Sequence, residues 1–63
     1  MKNKDLRIKM IEKEVSSNQV AKEYGMTPSS FYRLLKNELS DKRKQKIFEA
    51  IDSAAAKNIQ MNN

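Results

Sequence analysis

Apolar residues in this chain recur at three- and four-residue intervals, the spacing of helices with one buried face. In the first group, Leu6, Met10 and Ile11, joined by Ile8 and Val15, alternate with a wet side of Lys4, Arg7, Lys9, Glu12 and Lys13, which predicts a helix over Lys4 to Glu14. Three further groups follow: Val20, Ala21 and Tyr24; Phe31, Leu34 and Leu35; and Ile47, Phe48, Ile51, Ala54 and Ala55. No stretch alternates with period two, and the chain has one glycine and one proline, so strands are not expected. The predicted fold class is all-α.

Local start and stop signals set the boundaries. Ser16 stands three residues before Gln19, the pattern of a capping box, so the second helix should begin near Ser17. It should end at Gly25, a residue suited to the left-handed position that closes a helix, with Met26 folding back onto its apolar face. Thr27 followed by Pro28 opens a third helix, expected to reach Lys36, because a hydroxyl caps the first turn and proline gives up an N–H that had no partner there. A polar connector from Asn37 to Leu39 precedes Ser40 and Asp41, which open a longer fourth helix running to about Lys57. Residues 58–63 then read as a flexible tail, making 1–63 one domain with an ordered core of about 4–57.

The second and third helices can cross steeply through a three-residue corner only if their facing residues are small. Ala21 meets that need and Gly25 permits the turn, while Val20, Tyr24, Met26, Phe31 and Leu34 supply inner contacts. The result is a helix-turn-helix whose second helix protrudes and carries no acidic residue.

Composition narrows the chemistry. With 63 residues the chain hides only roughly 60% of its unfolded surface on folding, enough for one small core. It has no cysteine and no histidine, which removes disulfides, thiolate nucleophiles and the common zinc ligand sets. Glu12 and Glu14 lie two apart on a helix and point in different directions, with no partner for general acid-base work, so no catalytic residue, metal or cofactor is expected. The longest apolar run, Ala54 to Ala56, is too short for a membrane span, and the basic N-terminus is followed by no apolar segment of signal-peptide length. A cytoplasmic setting without membrane contact follows as the expectation. Thirteen lysines and arginines against eight acids give a net charge of +5, which favours a polyanionic partner.

The segment SSNQVAKEYGMTPSSFYRLLK, Ser16 to Lys36, resembles the Cro and phage-repressor helix-turn-helix family, of the same class as the Xre-like regulators. The resemblance spans residues 4 to about 56 and implies a four-helix Cro/repressor-like domain that binds double-stranded DNA as a small phage or bacterial repressor. By position it implies base contacts from Thr27, Pro28, Ser29, Ser30, Tyr32 and Arg33, with helix 3 in the major groove. Arg33 is the foremost of these, because its guanidinium can donate twice to guanine. Phosphate contacts are expected from Ser17 and Asn18 at the start of helix 2, and from Lys36, Lys42, Arg43, Lys44 and Lys46. Ser17 stands where the family often has a longer glutamine.

Cations at Lys42, Arg43 and Lys44 sit unfavourably at a positive helix N-terminus, a conflict that an approaching phosphate resolves. The family commonly dimerises on an operator, and Ala56, Ile59 and Met61 are candidates for that surface. No small-molecule substrate is implied. The alternative is a protein-binding module on the same fold, such as a phage-encoded inhibitor or antirepressor.

Overall fold

The computed structural model describes residues 2–61, with side chains described through Asn58. Four helices occur among the described residues: α1 (Lys4–Glu12), α2 (Ser17–Tyr24), α3 (Pro28–Leu34) and α4 (Asp41–Met61). Leu6, Val20, Phe31, Ile47 and Ile51, drawn from all four, are fully buried in one core. At roughly 1.5 to 3 kcal/mol for each large apolar side chain, this cluster is the main favourable term in folding.

α1 stops two residues earlier than its spacing predicts. Glu14 adopts a left-handed conformation at φ 56°, its N–H donates to the Ile11 carbonyl at 3.1 Å, and the Val15 N–H reaches back to the Met10 carbonyl at 3.0 Å. This double closure ends the helix without a glycine and returns Val15 to the core beside Met10. The short helix buries a narrow stripe, Leu6 and Met10. Ile8 and Ile11, expected on the apolar side, are 44% and 76% exposed and border a shallow cleft with Lys4, Arg7 and Ser17.

The corner forms as the local signals require. The Gln19 N–H donates to Ser16 Oγ at 3.2 Å and the Ser16 N–H to Gln19 Oε1 at 3.0 Å, so the capping box is complete. Gly25 sits at φ 87° with open space around its Cα, so its constraint is backbone conformation alone, and the Met26 N–H closes onto the Ala21 carbonyl at 2.9 Å. Ala21 is fully buried where α2 passes α3. Thr27 caps α3 by accepting from the Ser30 N–H at 3.3 Å, with Pro28 in the first turn. The last two residues expected in α3, Leu35 and Lys36, form a tighter turn instead, in which the Lys36 N–H donates to Arg33 at 3.2 Å.

α4 buries Ile47, Ala50, Ile51 and Ala54 and packs across both α2 and α1. It continues four residues past Lys57, and its described end is tied to α2: the Gln19 amide donates to Asn58 Oδ1 at 2.6 Å, and Lys57 pairs with Glu23 at the same distance. Residues 58–61, expected in a tail beyond about Lys57, are thus part of α4, whereas the side chains of Ile59 and Met61, the expected dimer contacts, and residues 62–63 lie outside the described residues. Ala56 is exposed.

One residue just before α1 holds the open end of the bundle together. Asn3 is fully buried and left-handed, at φ 55°. Its amide donates to the carbonyls of Leu35 and Asn37 at 2.9 and 2.8 Å, its Oδ1 accepts from the Leu39 N–H at 2.9 Å, and its own N–H donates to Glu38 Oε1 at 2.9 Å. A connector that would otherwise leave buried backbone groups unpaired is thereby clamped to the start of α1. Asparagine suits the site because it tolerates the left-handed backbone and carries both donor and acceptor.

Candidate nucleic-acid interface

The protruding helix presents a polar surface because its three apolar positions are spent inward. Phe31 and Leu35 are buried and Leu34 is half-buried, leaving Thr27, Pro28, Ser29, Ser30, Tyr32, Arg33 and Lys36 exposed. With helical residues advancing about 100° each, Pro28, Tyr32, Ser29 and Arg33 follow one another around a single arc, Ser30 lies beyond its edge, and Lys36 stands in the turn that follows the helix. The Thr27 hydroxyl donates to Ser30 Oγ at 3.0 Å, so these two expected base contacts are engaged with each other at the cap. No acidic residue lies in α3. The Lys36 ammonium stands 5.5 Å from the centroid of the Tyr32 ring.

Ser17 and Asn18 are exposed in the first turn of α2, where unpaired N–H groups and the helix dipole favour an anion. Gln19 is turned away from that role by its bonds to Ser16 and Asn58.

The basic run at the start of α4 divides. Lys42, Arg43 and Lys46 line an open cleft of about 390 Å3 together with Tyr24 and Ser40. Ser40 caps α4 by accepting from the Arg43 N–H at 3.3 Å, and Tyr24 packs its ring at 6.3 Å from that of Phe31. Lys44 goes elsewhere. Its position on the helix turns it toward α1, where its amine lies 3.2 Å from Asp5 and pairs with Glu38, its side chain only 14% exposed. The four lysines and arginines look alike in sequence, but only three share the cleft. Tyr24, whose spacing predicts a core position, is half-buried and contributes to the cleft wall, and Ser40, whose sequence signal is that of a helix start, adds a polar wall that nothing in the sequence marks.

This pairing shifts both partners. The N–H of Asn3 and then the Lys44 ammonium hold the Glu38 carboxyl below its ordinary range, while the bond from Glu38 holds Lys44 above its own. A depressed carboxylate stabilises the fold above its unfolded pKa and loses that contribution as pH falls through its folded pKa; a raised lysine contributes below its unfolded pKa and fades as pH climbs through its folded one. Chemical-denaturation midpoints of wild type and Glu38→Gln should therefore differ at neutral pH and converge in acid. Parallel curves down to the acid limit would show that the Glu38 charge contributes nothing to stability.

Among the described residues no cluster of acidic side chains is arranged to hold a metal ion, and no helix is long and apolar enough to cross a membrane. A family model described as Cro/C1-type HTH DNA-binding domain matches residues 5–47, the stretch that contains α1, the helix-turn-helix and the start of α4. No curated protein and no solved structure matches the chain.

Proposed function

The chain belongs to the Cro/C1-type HTH DNA-binding domain family and is a DNA-binding regulator, and from that premise we propose that it is a small phage or bacterial repressor reading an operator in the major groove with α3. The observation that carries this reading is the exposed, acid-free arc of α3 in a chain whose neighbouring cleft is lined by Lys42, Arg43 and Lys46. Base edges fall to Pro28, Ser29, Tyr32 and Arg33, with Thr27 and Ser30 presenting capped hydroxyls at the helix start. Phosphates fall to Ser17, Asn18, Lys36, Lys42, Arg43 and Lys46. Lys44 leaves that set, because its charge is already paired within the fold.

In this arrangement the phosphate contacts fix the register of α3, and the exposed side chains then meet base edges. Repression follows by occlusion of a promoter in the cytoplasm. Two copies on a palindrome would place their recognition helices about one DNA turn, roughly 34 Å, apart. Such domains are typically non-enzymatic.

Selection of bound duplexes from a random pool tests the proposal, with an enriched palindrome as the expected product. Arg33→Ala should then relax preference at one base position by about 1 to 3 kcal/mol while leaving the others intact. Unchanged preference at every position would remove Arg33 from the base-reading set. A chain that retained no duplex even at low salt would favour the alternative, a protein-binding module.

A further inference from the structure

The exposed arc of α3 is divided chemically along its length. Pro28 and Tyr32, one turn apart, form an apolar strip that continues into Lys36, whereas Ser29 and Arg33 form a parallel strip of hydrogen-bond donors. Tyr32 is 62% exposed, an unusual position for an aromatic ring in so polar a helix. The ring is not left loose, because the Lys36 ammonium sits over it at 5.5 Å from the centroid. A cation held over the ring face restrains the side chain, on a helix position one turn from the exposed Pro28.

The major groove offers two contrasting features to such a divided face. Guanine presents two acceptors, N7 and O6, which suit the Arg33 strip; thymine presents a carbon, its C5-methyl group, which suits an apolar strip. We infer that Pro28 and Tyr32 form a thymine-methyl-reading surface beside the Arg33 strip, and that Lys36 is a positioning residue that holds the Tyr32 ring in place for it. The inference rests on the major-groove reading proposed above and adds to it a base, a chemical group and a division of labour along α3.

Deoxyuridine lacks only the methyl group of thymidine, so it isolates this contact. With the duplex selected above, each thymine is replaced singly by deoxyuridine and binding is measured by fluorescence anisotropy. Loss of one buried methyl group should weaken wild-type binding about fourfold at one position in each half-site. Tyr32→Ala, at an exposed site, should fold normally by circular dichroism and bind the two duplexes equally. Lys36→Met should lose most of the discrimination, and Lys36→Arg, whose guanidinium also stacks on rings, should retain it. Arg33→Ala should keep the thymine preference. An operator indifferent to every such replacement, or discrimination that persists in Tyr32→Ala, would overturn the inference while leaving DNA reading intact. Undiminished discrimination in Lys36→Met would overturn the positioning role. A random pool from which nothing is enriched would overturn operator reading itself, and this inference with it.

Discussion

Replacing Asn3 with alanine is expected to cost the fold about 3 kcal/mol, seen as a fall of roughly 15 °C in melting temperature. The side chain makes three bonds to backbone groups of the α3–α4 connector, and its removal strands the Leu35 and Asn37 carbonyls and the Leu39 N–H away from their partner. Domains of this length have total stabilities of about 3 to 9 kcal/mol, so the loss is a large fraction of the whole. Asn3→Asp should be comparably damaging, because a carboxylate would face two carbonyl oxygens in place of the donors they require. Asn58→Ala serves as the contrast. Its bond to Gln19 lies nearer the surface, and a loss of about 1 kcal/mol or less is expected there. An Asn3→Ala protein that melted with wild type would show that the connector holds its shape without this clamp.

Neutralising Lys42, Arg43 and Lys46 together as glutamines should produce the largest effect on DNA binding. Three phosphate contacts at about 0.9 each would lower the slope of log affinity against log salt by roughly 2.7, with all sequences weakened alike. Lys44→Gln should behave differently. It leaves Asp5 and Glu38 without their cation and lowers stability, but the salt slope should not change. A salt slope altered as much by Lys44→Gln as by any one of the other three would reunite the basic run as a single phosphate-binding face.

The contrast between Lys44 and its neighbours also marks where sequence reasoning ends. The capping box at Ser16 and Gln19, the left-handed Gly25 and the Thr27–Pro28 start were legible because each depends on groups a few residues apart. Most buried positions of α2, α3 and α4 were legible for the same reason, as periodicity, but buried Ala50 was not among the positions it picked out. Asn3 gave no such signal. Its partners lie 32 to 36 residues away, so nothing adjacent distinguishes it from a polar residue near a chain end. Lys44 was grouped with a run of like charges, and its departure depends on Asp5 and Glu38 being brought to one side of α4 by the same clamp. Ile8 and Ile11 misled in the opposite sense. Their spacing fits a helix, but α1 turns only Leu6 and Met10 into the core before Glu14 reverses the chain.

The most direct test is titration of 15N-labelled protein with the selected duplex, followed by amide chemical shifts. The largest changes should fall at Ser17 and Asn18, at Thr27 and Ser29 to Arg33, and at Lys42, Arg43 and Lys46, with the outer face of α1 around Ile8 and Ile11 unaffected. Changes confined to the α1 face, or no changes at low salt, would contradict the assignment of α3 and the α4 cleft to DNA.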